Sequence, residues 1–291
     1  MDASLLLQLG ANGISVGFGY GLAAVGLALV FGILEQVNFA HGEVYMLCAF
    51  ALWFVAKALG LSYWMCLPLA VLLMAGFGLI LAEVAFLPTL HRPFESVILA
   101  TFAISVILQN AVRLIFGATQ QDIATPLESV TFDIAGVLFF GQRVFVIAVA
   151  IVALGGLAAF LRWTATGRAM RAMAQNKEAC VIVGIDIRRI TRVTAVIGAG
   201  LCGLAAAVIA PLFDLYPNMG TDVVFKSFAV VIIGGMGNIA GSVIAGLLLG
   251  VAESFAGGLV NAAFRDGIGF SLMIAMLLLR PQGLFGKSVR V

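Results

Sequence analysis

The chain has 291 residues, 63% hydrophobic and 10% charged, with a formal net charge of +2 and a mean hydropathy of +1.15. A soluble domain carries about 45–50% apolar and about 25% charged residues, and a chain of this length keeps too much wet surface to hide so many apolar side chains. That composition excludes a soluble enzyme, and a charge this small and scattered leaves no footprint for nucleic acid.

A helix crossing the hydrocarbon needs about 20 mostly apolar residues. The first apolar run extends from Ala11 to Leu34. The chain opens Met1-Asp2 and has no Lys or Arg before Lys57. A secretory signal starts with positive charge and has an apolar core of about 7–15 residues, so the run is read as a retained span. Further runs fall at 44–60, 61–87, 96–117, 144–161, 192–213, 222–236, 238–260 and 267–280. Pro68 interrupts the run 61–87, and 222–240 is short and glycine-rich, which suits a re-entrant pair. The predicted fold is all-α: one transmembrane bundle over 1–291 with nine spans (eight to ten fit the run boundaries), and broken or re-entrant helices near 36–44 and 222–240. Gly13, Gly17 and Gly21, and again Gly246 and Gly250, recur at four-residue steps, which predicts faces where backbones approach closely. Cys48, Cys66, Cys180 and Cys202 lie far apart, with no C-x-x-C and no His/Cys cluster. They read as small buried residues and not as a disulfide framework or a metal site.

Cytoplasmic loops are enriched in Lys and Arg. Arg162, Arg168, Arg171, Lys177, Arg188, Arg189 and Arg192 crowd one segment, so the loop at about 163–191 is expected in the cytoplasm. The segment 118–142 holds Asp122, Glu128 and Asp133 with no Lys or Arg and suits the outer side. The tail with Arg280, Lys287 and Arg290 reads as cytoplasmic, which puts the amino terminus outside and leaves Arg265 outside as well.

No H-E-x-x-H and no paired carboxylates appear, and the two histidines are His41 and His91, so no catalytic residue is expected. Gly286-Lys287-Ser288 resembles the end of a phosphate-binding loop, but Pro281 stands where that loop begins with glycine. Three other features carry information. Asn38, His41 and Glu43 lie between two apolar runs, with Gly42 allowing the backbone to break. Polar groups at membrane depth face a cavity, a partner or a pathway, and a broken helix exposes end groups that can meet a solute. A solute pathway, a plain cytoplasmic turn and a purely structural role in holding the break all remain open.

The second feature is a short helix predicted between Asn176, a cap, and Gly184, a left-handed terminator, with Glu178 in its first turn. It is too short to persist in water alone. Its apolar Ala179, Val181, Ile182 and Val183 call for a partner protein or the membrane surface. The third is the set Glu83, Asn110, Arg113, Lys226 and Glu253, each in or near an apolar run and expected to point into the bundle as a buried polar network. Lys226 could instead snorkel to the interface.

The stretches Gly26–Met46 and Val230–Gly250 resemble the branched-chain amino-acid ABC transporter permeases. Glu178-Ala179-Cys180-x-x-x-Gly184 is similar to the E-A-A-x-x-x-G loop by which ABC importer permeases engage their ATPases, with Cys180 where that pattern has Ala. The resemblance covers about 15–285 and implies a permease subunit in the bacterial inner membrane, working by alternating access. It implies coupling through Asn176, Glu178, Ala179 and Gly184, and no cofactor in this chain because ATP is bound by separate ATPase subunits. It also implies a second permease, identical or homologous, and a periplasmic solute-binding protein. The implied solute is leucine, isoleucine or valine, or a related urea, amide or aromatic acid. The rival reading is an ion-coupled secondary transporter, for which Glu253 or Glu83 would be the coupling carboxylate.

Overall fold

A computed structural model describes residues 3–134, 137–261 and 264–286; Lys287, Ser288 and Arg290 of the basic tail lie outside them. The uninterrupted apolar run at the start forms α1 (Ala3–Leu34), which ends where Glu35 takes a positive φ of 54°. After a non-helical stretch come α2 (His41–Leu59), stopped by Gly60 at φ 62°, and α3 (Tyr63–Leu81). The expected interruption at Pro68 does not break α3. Pro68 lies near the start of that helix, and neighbouring helices in a bundle tolerate the lost hydrogen bond. The ladder loosens further on, in a π-helical turn over Ala82–Phe86, before the single turn α4 (Leu87–Thr89).

Next come α5 (Phe94–Phe116) and an antiparallel hairpin of β1 (Thr131–Ile134) and β2 (Val137–Phe140), with Thr131 opposite Phe140. The hairpin is a small addition to the all-α expectation. The chain continues through α6 (Gly141–Trp163), α7 (Ala165–Met173), α8 (Lys177–Ile182), α9 (Ile187–Ile209), α10 (Met219–Gly234), α11 (Ile239–Leu259) and α12 (Phe264–Leu279).

Among the described residues, seven helices are long and apolar enough to cross a membrane. The runs 222–236 and 267–280 form α10 and α12, each of 16 residues. At 1.5 Å per residue these reach about 24 Å, less than the hydrocarbon thickness of about 30 Å. The break expected within 222–240 falls at Gly235–Asn238, where Gly235 and Gly237 take φ of 101° and 79° and turn α10 back into α11.

Helix α1 is the central post, packed by α6, α9, α10 and α11. Its contact with α11 realises the glycine spacing. A Cβ on Gly246 would lie 2.6 Å from the Gly21 nitrogen, and one on Gly13 would lie 2.6 Å from the Val251 Cα. Only hydrogen at these positions lets the two backbones touch. All four cysteines are buried and free.

Candidate functional site

Beyond Leu34 the chain turns back into the bundle, and α2 begins inside it. The His41 Nε2 donates to the Ala23 carbonyl at 2.9 Å. Ala23 lies 11 residues before the end of α1, or about 16 Å along its axis. Asn38 Oδ1 accepts from the Ala40 N–H at 3.0 Å, a local turn that opens α2. The Phe39 N–H donates to Thr101 Oγ1 on α5 at 3.1 Å. Asn38 and His41 are buried, the side chain of the first bonded within the break and that of the second to the interior of α1. The plain solvated turn is therefore ruled out.

Glu43 is fully buried, and its Oε1 accepts from Ser105 Oγ at 3.0 Å and Gln109 Nε2 at 2.7 Å. Gln109 also donates to Thr221 Oγ1 on α10 at 3.0 Å. Glu43 Oε2 has no hydrogen-bond partner among the described residues and lies against Gly220. A Cβ on Gly42 would run into the Gly220 carbonyl, so glycine at 42 is what lets the first turns of α2 and α10 cross. The three expected residues lie together at the start of α2, but His41 turns to α1 while Glu43 enters the place where α2, α5 and α10 meet. Ser105, Gln109, Gly220 and Thr221 belong to it too and were not anticipated, because nothing in a single sequence pairs α5 with α10.

The expected buried network is corrected at three of its five positions. Glu83 pairs with Arg192 at 2.6 Å, but the two side chains are 49% and 42% exposed. Asn110 is exposed and donates to the Val106 carbonyl one turn back, at 2.7 Å. Arg113 is exposed and donates to Asn218 Oδ1 at 2.9 Å. An apolar run establishes that a segment is buried in something, not which face turns inward, and these positions of α5 face outward. Glu253 and Lys226 are the exceptions. Glu253 is fully buried, and its Oε2 accepts from Tyr20 Oη at 2.8 Å and from Lys226 Nζ at 3.1 Å. Lys226 also donates to the Tyr20 hydroxyl at 2.9 Å. It turns inward to this carboxylate, so it does not snorkel.

At the end of the bundle that carries the basic loop, Asn176 Oδ1 caps α8 by accepting from the Ala179 N–H at 2.9 Å, and Gly184 follows with φ 77°. Cys180 is buried, whereas Glu178 and Ala179 are exposed. Val181, Ile182 and Val183 are 60%, 86% and 73% exposed. Lys177 ties α8 to the end of α1 through the Leu34 carbonyl and Glu35, the latter at 3.1 Å. Ser15, flanked by Gly13 and Gly17 at the spacing of a hydrolase nucleophile elbow, lies within α1 and donates to the Arg143 carbonyl at 3.3 Å.

A helical bundle with two helix starts meeting in its interior, and a capped apolar helix displayed at one end, is an architecture that suits a membrane permease. This chain belongs to the branched-chain amino acid ABC transporter permease family: the model described as "Branched-chain amino acid transport system / permease component" matches residues 10–277. It is 31% identical to the "High-affinity branched-chain amino acid transport system permease protein BraD" of Pseudomonas aeruginosa, over 97% of this chain and 96% of that one. It is 30% identical to the permease protein LivH of Salmonella typhimurium with the same coverage. To LivM of Escherichia coli it is 25% identical, over 91% of this chain and 67% of that protein. No solved structure matches the chain. The chain is a permease subunit of an ABC importer, and nothing in these relatives supports the ion-coupled alternative.

Proposed function

We propose that this subunit passes branched-chain amino acids, or a related small polar solute, across the bacterial inner membrane by alternating access, driven by ATPase subunits that dock on α8. The observation that carries this reading is the exposed apolar surface of α8, on a capped helix too short to stand alone. Lys177 links that helix to the end of α1, just before the break that leads into α2. A push on α8 therefore reaches the junction of α2, α5 and α10. An ATPase that binds α8 with different free energy in two states of the bundle shifts their populations.

In this reading residues 163–191 are the coupling loop of a single permease domain, with Asn176, Glu178, Ala179 and Gly184 as its working positions. The solute passes the junction of Asn38, His41 and Glu43, where Glu43 Oε2 is the oxygen left open. The amino terminus is outside and the carboxy terminus cytoplasmic. ATP is held by the partner ATPases, with no cofactor in this chain. A periplasmic binding protein delivers the solute, and a second permease, identical or LivM-like, completes the pathway.

The test is uptake into vesicles holding the chain with its partners, with and without internal ATP, and with Glu178→Ala combined with Gly184→Pro. Uptake that needs ATP and fails in the double variant while the protein still inserts is the expected result. Uptake indifferent to ATP that collapses with the ion gradient would sink the reading.

A further inference from the structure

A cavity of about 290 Å³ lies between α1 and α10, at the small end of the ~300–1,000 Å³ typical of ligand pockets. On the α1 side its wall is Gly19, Tyr20 and Ala23, of which Gly19 and Ala23 add almost no bulk while the Tyr20 hydroxyl accepts from Lys226 at 2.9 Å. Its roof comes from residues 213–216 and Gln120, and the two segments are stitched by Gln121 N–H to Leu215 O at 3.0 Å and the reverse bond at 2.8 Å. Met219 lines it, and the next residue, Gly220, touches Glu43, so the cavity adjoins the junction of α2 and α10.

We infer that this cavity is the chamber that holds the solute, and that it is built for a small zwitterion with an apolar side chain. The inference rests on the permease reading above and assigns it residues. Asp222 and Lys226 stand one turn apart on α10, and both line the chamber. Side chains four apart on a helix have Cβ atoms about 5–6 Å from each other. An α-amino acid carries its ammonium and carboxylate on one carbon and can meet both. Asp222, already accepting from the Tyr216 hydroxyl, takes the ammonium; Lys226 takes the carboxylate. Ile209, Met219 and Val223 receive the side chain.

A simple organic acid would face Asp214 and Asp222 with no cation of its own, and urea would answer neither charge. The solute carboxylate also competes with Glu253 for Lys226, so occupancy weakens a charged tie between α10 and α11.

The complete importer carrying Val223→Cys, in vesicles, tests this with a methanethiosulfonate reagent. The native cysteines of this subunit are all buried, and the parent importer labelled in parallel is the blank for those of its partners. L-leucine supplied with the binding protein should slow labelling at position 223 several-fold. Urea and 4-methylpentanoate should not, and Asp222→Asn in the same background should abolish the protection. ATP-driven leucine uptake without protection would overturn the chamber and leave the permease reading intact. Equal protection by urea or 4-methylpentanoate, or ATP-driven uptake of urea and not leucine, would overturn the zwitterion assignment. Failure of the permease reading itself shows separately, as ATP-independent uptake by the parent.

Discussion

The face of α1 that meets α11 and the face that meets α10 both carry small residues, yet one is sealed and the other encloses a cavity. Against α11, Gly13, Gly17 and Gly21 meet Gly246 and Gly250, and the backbones touch. Against α10, Tyr20 reaches Lys226, and beside that contact a space remains that Gly19 and Ala23 line from one side and Asp222, Lys226 and Ser227 from the other. A small residue draws two helices together only where the partner is small as well; opposite long polar side chains it leaves room. The pair α1–α11 thus serves as a fixed frame, and α10 is the wall where charge, space and the crossing with α2 coincide.

The comparison can be broken most forcefully at its charged edge. Glu253→Leu leaves Lys226 without its carboxylate in a buried setting, and removing one partner of such a pair costs about 3–5 kcal/mol. Adding Lys226→Met should restore most of that loss in thermal unfolding of the purified importer. A double variant no better than the single one would mean that the pair is not a unit.

On the sealed face, Gly246→Val forces a side chain against Gly21 and should cost about 3 kcal/mol, the upper end of ordinary overpacking. Gly155→Ala in α6, where a Cβ meets nothing, should instead gain up to about 1 kcal/mol from helix propensity. Equal melting temperatures for the two would show that the seam is loose.

Where α10 crosses α2, Glu43→Ala removes the buried acceptor shared by Ser105 and Gln109, for a loss of about 2 kcal/mol. The smallest effect is expected far from both faces. Asn176→Ala removes the α8 cap, worth about 1 kcal/mol. Amide exchange should quicken over Lys177–Ile182 and coupled uptake should fall, while the global melting temperature stays put. A lowered melting temperature would mean that α8 is integral to the bundle.

Much of this architecture is legible along the chain, because a bilayer imposes length and polarity limits that apolar runs display directly. The runs behind α1, α9 and α11 are long and clean, and the helices follow them. The break before α2 is marked by Asn38, Gly42 and Glu43, and the caps of α8 by Asn176 and Gly184. Glu83, Asn110 and Arg113 mislead for a definite reason: each interrupts an apolar run as Glu253 does, but which side of the helix faces protein is absent from a one-dimensional pattern. Tyr20, Ser105 and Gln109 went unread because ordinary polar residues signal nothing until a partner more than 60 residues away is known.

The sequence by itself determined that this is a many-spanning membrane protein, where its helices break before α2 and between α10 and α11, and that it carries a short capped helix on a basic loop. These follow from local chemistry: hydrocarbon length, caps, glycine and the distribution of Lys and Arg. Only the tertiary structure decided that α2 and α10 start side by side inside the bundle, that Glu253 is the carboxylate with a buried cation, and that one face of α1 is shut while the other is hollow. Those depend on which helix faces which, a matter of packing between distant segments that no local pattern encodes.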